Sequence, residues 1–552
     1  MKLTGAQILI EELIYHNVKE IFGYPGGAVL NIYDELYRNK DKIRHYITTH
    51  EQHAAHAADG YSRVSGRTGV VIATSGPGAT NLVTGIATAF LDSVPLVAIT
   101  GNVSTDLIGR DSFQEVDIVG VTMPITKHNY IVKSVEDLQE IIREAFFIAT
   151  SGRPGPVLID IPKNVQQGVT EYDREKTFAF KSKAKKLYDI TKAVELLSSS
   201  KKPFIYSGGG VVISDAHKEL LEFADLIDAP IGTSLMGLSA IPYDHPKNLG
   251  MAGMHGRYAA SKALAECDLL IAIGTRFSDR ATGNKKMFIK NCRVLQIDID
   301  NAEIDKNIPT NVSVVGDIKE VLRKISECLP ALDNKEWLNY VHELKESNNN
   351  HLDMSLNNLN PKAVIETISS RMPADAIVST DVGQHQMWTA QHYKFRQPRT
   401  FITAGGLGTM GYGLGAAVGA CIATGRKTLL FTSDGSFHMN LNEMATAVTN
   451  ELPLIIVILD NNALGMVRQW QTMFFGKRYS ETSLNRKTDY VKLAEAFGAK
   501  GFKATNLEEL HGALDNIENT LGPCLIHCVI DQNENVFPMI PPNGTISDII
   551  IR

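Results

Sequence analysis

Cysteine is scarce in this sequence: six in 552 residues, at Cys267, Cys292, Cys328, Cys421, Cys524 and Cys528. Spread so thinly, they form no disulfide framework and point to reduced thiols, mostly in the core, of a cytoplasmic protein. Cys524 and Cys528 lie four apart on a strand-like run with no matching pair elsewhere, which argues against zinc. Long apolar runs are also missing. The longest without charge, Leu452–Leu459, is far too short to span a bilayer. Met1–Ala6 leads directly to Glu11-Glu12, so no signal-peptide hydrophobic region is expected. Positive charge is nowhere concentrated, and a net charge of −6 argues against nucleic acid as a partner. The middle of the chain has no G-x-G-x-x-G: Ser207-Gly208-Gly209-Gly210 is not one, and Asp298 stands at the wrong spacing for a dinucleotide fingerprint. What remains is an ordinary globular composition, 44% hydrophobic and 21% charged, in a chain long enough for several domains.

The most informative stretch runs from Thr428 to Val467. Two short runs, Thr428–Thr432 and Leu452–Leu459, have the composition of strands buried on both faces. Each breaks into polar residues, Ser433-Asp434-Gly435-Ser436 and Asp460-Asn461-Asn462. Open parallel sheets bind ligands beyond the carboxyl ends of their strands, so Asp434 and Asn461 are expected to face one crevice. Such hard oxygen donors suit Mg²⁺, which keeps water and phosphate in its shell. Taken singly, Asp434 also fits a helix cap. The pairing is what points to a metal-bound diphosphate.

Residues 1–168 alternate helical and strand patterns, the rhythm of an α/β domain, with Thr4 placed to cap a helix running to His16. Strand-like runs at Ile21–Gly23, His45–Thr48, Val70–Thr74, Pro95–Gly101 and Pro156–Pro162 punctuate it. Residues 190–332 form a second doubly wound unit, and residues 360–552 a third. The charged stretch Glu171–Lys186 and the polar stretch Asn334–Asn360 read as linkers.

The motifs, in order, are Y-P-G-G-A from Tyr24, H-E-Q from His50, G-R-D-S-F-Q-E from Gly109, I-P-K-N from Ile161, G-M-H-G from Gly253 and R-F-S-D-R from Arg276. They continue with T-D-V-G-Q-H-Q-M-W from Thr380, G-G-L-G-T-M-G from Gly405, S-D-G-S-F from Ser433 and G-M-V-R-Q-W-Q from Gly465. This ordered set, covering essentially the whole chain, resembles the large catalytic subunits of the acetohydroxyacid synthase (acetolactate synthase) family, enzymes that use thiamine diphosphate (ThDP). The resemblance implies a pyrimidine-binding domain, a central domain of the FAD-binding type and a diphosphate-binding domain. It implies a transferase that decarboxylates pyruvate and adds the hydroxyethyl unit to a second 2-ketoacid, pyruvate or 2-ketobutyrate. The products would be 2-acetolactate or 2-aceto-2-hydroxybutyrate, at the entry to valine, leucine and isoleucine synthesis. It also implies a homodimer or homotetramer, with sites between subunits, and a separate small regulatory subunit.

By residue, the resemblance assigns Glu51 to the pyrimidine N1′, although from sequence alone a helix-capping carboxylate fits better. Gly26 and Gly27 let substrate and cofactor approach, with an N–H near the developing oxyanion; Gln114 and Lys163 join them as catalytic candidates. Val382, Gly383, Gln384, His385, Gly408, Gly435, Ser436 and Met439 hold ThDP, and Met410 lies under the cofactor's bend. Asp434, Asn461 and Ala463 form the metal set. Phe113, Arg280, Trp470 and Met466 suit a 2-ketoacid, with a cation for its carboxylate and apolar walls for its tail. A structural, non-redox FAD is expected on Arg153, Gly208, Gly209, Leu235, Met254, His255, Gly274, Arg276, Asp298, Ile299 and Asp317. Ser278 replaces the family's aspartate there. His53 and His56 are expected to be packing or solvated histidines. A flavin-free catabolic synthase, a pyruvate decarboxylase or oxidase, and a non-catalytic assembly protein are the rivals. Arg276, Arg280 and Trp470 weigh against the other enzymes, and intact Glu51, Asp434 and Asn461 against loss of catalysis.

Overall fold

The computed structural model describes residues 1–180, 190–288, 292–347, 359–518 and 520–551. Three six-stranded sheets, each parallel throughout, carry the fold. The first contains β1 (Glu20–Gly23), β2 (Arg44–Ile47), β3 (Gly69–Ala73), β4 (Leu96–Asn102), β5 (His128–Ile131) and β6 (Pro156–Pro162), in the order β2-β1-β3-β4-β6-β5. The second contains β7 (Pro203–Ser207), β8 (Ile231–Thr233), β9 (Asn248–Met251), β10 (Leu269–Ile273), β11 (Arg293–Asp298) and β12 (Val312–Val315), in the order β9-β8-β7-β10-β11-β12. The third contains β13 (Ile377–Thr380), β14 (Phe401–Ile402), β15 (Thr428–Ser433), β16 (Leu454–Asp460), β17 (Lys500–Ala504) and β18 (Cys524–Val529), in the order β14-β13-β15-β16-β18-β17. Central strands such as β4, β10 and β16 are buried almost along their whole length, because helices cover both faces of a parallel sheet.

Local chemistry sets the first helix as expected. Thr4 Oγ1 accepts from Gln7 N–H (3.2 Å) and Gln7 Oε1 accepts from Thr4 N–H (3.0 Å), a reciprocal capping box at the start of α1 (Gly5–Tyr15). Two stretches differ from the linker reading. Val169–Glu171 pairs antiparallel with Lys2–Thr4, and Tyr172 beyond it is buried with its hydroxyl on Glu12 (3.0 Å), so the charged stretch starts as part of the first domain. Its residues 181–186 lie outside the described ones. Lys335–Ser347 is a helix rather than a linker. Trp337 and Val341, one turn apart, face the second domain's core, and the Trp337 indole donates to Pro203 O (2.9 Å). Residues 348–358 of that stretch lie outside the described ones.

The first and third domains meet through α2 (Glu51–Ser65) and α5 (Gly413–Thr424), with α3 (Val83–Leu91) and α4 (Lys335–Ser347) between them in the chain. The crossing is possible only because its residues have almost no side chains. A Cβ on Gly419 would lie 1.8 Å from Ala57 O, and one on Gly60 would lie 2.1 Å from Ala416 O. Beside it, the buried Tyr412 hydroxyl donates to Asp59 Oδ1 (2.6 Å), which also accepts from Arg63 Nε (2.6 Å). Gly419→Ala drives a methyl into backbone that has no room to yield. We expect it to cost about 1–3 kcal/mol of stability, the usual range for overpacking, or more; an unchanged urea midpoint would refute so close a crossing.

Candidate functional site

In each sheet a crevice opens where two neighbouring strands send their connections to opposite sides. It falls between β1 and β3, between β7 and β10, and between β13 and β15. All three crevices carry residues singled out above. Beyond β1, Gly26 packs so tightly that a Cβ would sit 2.5 Å from Thr74 at the end of β3, and Ala28 N–H donates to Thr74 Oγ1 (3.2 Å). Gly27 faces open space. Beyond β7, Gly208 backs onto Gly274 beyond β10, where a Cβ would meet Gly274 O at 2.1 Å. Beyond β13, Val382 O accepts from Ser436 Oγ (3.2 Å), which closes the third crevice.

The third crevice is the most polar. β15 and β16 run in register, Ser433 opposite Leu459, which brings Asp434 and Asp460 level with Asn461 one residue on. Ser433, not Asp434, caps the short α6 (Asp434–Phe437), accepting from Ser436 N–H (3.3 Å). The Asp434 carboxylate is left buried with neither oxygen hydrogen-bonded. Burial, reinforced by the charge of Asp460, pushes its carboxyl up to about 8. Asp460 is the acid of this pair that stays ionised: against its burial, the hydrogen bond from His527 Nε2 (2.8 Å) holds its carboxyl below the ordinary value. Asn461 Nδ2 donates to Gln384 Oε1 (3.1 Å), which fixes the amide and leaves Oδ1 facing Ala463 N–H (3.3 Å). Gln384 donates in turn to Gln469 Oε1 (2.9 Å) on α7 (Gly465–Phe474) and to Glu534 O (2.9 Å). His385 is buried, and burial lowers it to about 3, so its ring is neutral. A buried, unpartnered carboxylate is the donor a hard cation needs. Among the described residues no cluster of three or more His, Cys, Asp or Glu forms a metal cage. The set therefore fits a cation that takes the rest of its shell from phosphate and water.

Glu51 is the first residue of α2, capped by His50, and its Oε2 accepts from Asn81 Nδ2 (2.9 Å). Among the described residues no hydrogen bond or ion pair joins it to Asp434 or Asn461. Gln114 has a left-handed backbone (φ 60°) and overlies Gly76, where a Cβ would lie 2.8 Å from its carbonyl. Phe113 beside it is 87% exposed, and Lys163, at the end of β6, is exposed too. Arg280 and Trp470 do come together: the guanidinium lies 5.5 Å from the indole, with Met254 Sδ at 3.9 Å from its Nη1. Met466, one turn earlier on α7, packs on the third domain's core. Gly408 (φ 72°) and Met410 belong to the loop between β14 and α5, while Met439 is exposed.

The expected FAD residues string along the carboxyl ends of the second sheet. Leu235 follows β8, Met254 and His255 are buried beyond β9, and Arg276 follows β10. Asp298 ends β11, where burial raises its carboxyl to about 6; Ile299 beside it is exposed. Asp317 caps the helix after β12, accepting from Glu320 N–H (3.1 Å). Arg153 reaches them from the first domain, donating to Glu303 Oε1 (2.7 Å).

Four residues here carry no local sequence signal. Asn81 orients Glu51. Asp381 holds Gly413 N–H (2.7 Å) and Thr432 Oγ1 (2.6 Å) at the head of α5. Glu443 accepts from Thr446 Oγ1 (2.7 Å) and bonds His53 (3.2 Å) and Thr49, pinning the start of α2 to the third domain. Asp92 ties loops of all three domains. His527, on an otherwise apolar strand, is a further neighbour that the sequence did not single out.

Comparison with known proteins agrees with this geometry. Three family models match in order: "Thiamine pyrophosphate enzyme, N-terminal TPP binding domain" over residues 3–121, its central domain over 190–325 and its C-terminal TPP binding domain over 381–528. The fold and the crevices are thus those of a three-domain thiamine diphosphate-dependent enzyme. The chain is 46% identical to the "Probable acetolactate synthase large subunit" of Methanocaldococcus jannaschii, across 99% of this chain and 95% of that one. It is 45% identical to the "Acetolactate synthase isozyme 2 large subunit" of Escherichia coli K12, across 99% of both, and 45% identical to the large subunit of Cyanidium caldarium, across 99% and 96%. The chain belongs to the acetolactate synthase large-subunit family.

Because burial beside Asp460 disfavours the charge of Asp434, Asp434→Asn, which has no charge to bury, should stabilise the metal-free chain at neutral pH and lose that advantage as pH falls. Urea denaturation in EDTA reads this; equal or lower stability of the variant would show that the carboxylate is satisfied in solution.

Proposed function

We propose that the chain joins two 2-ketoacids, taking a two-carbon unit from pyruvate with loss of CO₂ and adding it to pyruvate or 2-ketobutyrate. The products are 2-acetolactate and 2-aceto-2-hydroxybutyrate, precursors of the branched-chain amino acids. Family membership supports the reaction; the placing of Arg280 over Trp470 at the edge of the cofactor crevice is the observation that carries the substrate class. A guanidinium meets a ketoacid carboxylate, and an indole walls its alkyl tail.

When bound, ThDP supplies the electron sink for decarboxylation and carbon–carbon bond formation. Glu51, oriented by Asn81, holds a proton at the pyrimidine N1′. Asp434, the Asn461 amide oxygen and the Ala463 carbonyl hold Mg²⁺. The backbone from Val382 to His385, with Ser436, would hold the diphosphate, and Met410 would pack against the cofactor. Gly27 N–H, Gln114 and Lys163 act on the substrate's oxygen from the pyrimidine side, and Phe113 closes the pocket. Arg153, Arg276 and the Gly208–Gly274 approach would hold FAD, with Asp298 suited to a ribose hydroxyl. The flavin is structural, since the net condensation is not a redox reaction.

Two copies complete each site. Among the described residues no hydrogen bond or ion pair links Glu51 to Asp434, and Phe113 (87% exposed), Met439 (53%) and Val467 (52%) leave apolar surface beside both halves, as an unfilled interface would. A homodimer or homotetramer in the cytoplasm, with a separate small regulatory subunit as the relatives' "large subunit" names suggest, completes the reading.

Purified chain given pyruvate, ThDP and Mg²⁺, with and without FAD, should form acetolactate; acetaldehyde alone would favour a decarboxylase. Glu51→Gln should still bind ThDP while exchange of its C2 proton slows by about 10²–10⁴-fold, the range of lost acid–base catalysis. Unchanged exchange would remove Glu51 from this role. Trp470→Leu should lower the preference for 2-ketobutyrate over pyruvate, with about 10–200-fold as the ceiling for one methylene. A competition assay counting both products tests it, and an unchanged ratio would make Trp470 a packing residue.

A further inference from the structure

The turn after α3, Leu91-Asp92-Ser93, touches more of the molecule than its length suggests. Asp92 is buried, and its Oδ2 accepts from Gly405 N–H (3.0 Å) and its Oδ1 from Gly406 N–H (2.7 Å). Those two amides open the loop that carries Gly408 and Met410. The approach is close enough to require glycine: a Cβ on Gly406 would lie 2.7 Å from Asp92 Oδ1 and 3.0 Å from Leu91 O. Both arginines expected on the flavin end on the same turn. Arg276 Nη1 donates to Leu91 O, with Nη2 3.8 Å from Asp92 Oδ1, and Arg153 Nε donates to Ser93 Oγ (2.7 Å). From the other side Arg63 Nη2 donates to Asp92 Oδ2 (2.9 Å).

We propose that Leu91-Asp92-Ser93 couples the two cofactor sites, with Asp92 a positioning residue that sets the ThDP loop according to whether flavin occupies Arg276. This rests on the reading of Arg153 and Arg276 as flavin ligands. Arg276 spends its charge on Leu91 O and Asp92. A bound flavin pyrophosphate competes for that guanidinium. Relieved of one cation, the Asp92 carboxylate accepts more strongly from Gly405 and Gly406, and the loop bearing Met410 is held in place for ThDP. A flavin with no redox task thereby tightens the cofactor that does the chemistry.

The test is titration calorimetry on the full chain. ThDP, with Mg²⁺ present, is titrated into flavin-free and flavin-loaded protein, and FAD into ThDP-free and ThDP-loaded protein. Flavin should tighten ThDP by about 5–150-fold, the usual range of coupling between sites, and ThDP must tighten FAD by the same factor. In Asp92→Asn the factor should fall to about one, whatever happens to each separate affinity; a merely structural residue would weaken binding and leave the factor intact. Arg276→Lys should keep part of the factor and Arg276→Met should lose it. Ser93→Ala, a milder change should Asp92→Asn fold poorly, should reduce it. Equal ThDP affinity with and without bound flavin overturns the proposal, as does full coupling in Asp92→Asn or Ser93→Ala. A chain that binds no FAD at all removes the flavin reading and the proposal together.

Discussion

Everything about the site depends on two helices that approach without side chains between them. Where α2 crosses α5, glycine hydrogens and alanine methyls face backbone carbonyls, and the spacing leaves no slack. Such a contact is rich in dispersion but weak in direction, since small residues interdigitate little. Direction comes from the charges at its edge. Asp59, Asp92 and Tyr412 are buried around the largely covered Arg63, and removing one partner would strand the others in a low-dielectric interior. The small residues set how near the first and third domains lie, and the ion network sets their angle.

Given that frame, the fold places chemistry by repeating one device. Each parallel sheet opens a crevice where its strand order reverses, and each crevice is lined by turns rather than by core. The buried strands below are nearly interchangeable aliphatic runs. The turns differ: glycines admit backbone in the second sheet, while an unpartnered carboxylate waits in the third. Rigid layers thus hold varied turns, and one architecture offers three chemically different crevices.

How much of this could be read from sequence follows the range of the forces involved. β15 and β16 were legible because an aliphatic run ending in polar residues is a local pattern, and the Thr4 cap because it spans only three residues. Asp434 and Asn461 were legible as a pair of strand ends. That Asp434 would lack partners was not, because it depends on Ser433 taking the cap and on His527 holding Asp460 from a distant strand. The helix Lys335–Ser347 was hidden by its polar composition; only Trp337 and Val341, four apart, betray the buried stripe. The Asp92 turn had no signal at all, since its partners at 63, 153, 276 and 405 are brought to it only by the assembled domains.

The Gln384 side chain has a consequence for how such a protein can change over generations. One amide reads Asn461 with its oxygen and Gln469 with its nitrogen, so the proposed metal ligand and the helix bearing Trp470 share a single orienting group. Gln469 is itself tied to Val536 through both N–H···O directions (3.1 and 2.9 Å). On the roles proposed for Asn461 and Trp470, substrate preference and cofactor retention are linked through this one amide. Replacements on the inner face of α7 are felt at Asn461, whereas those at exposed Val467 are not transmitted.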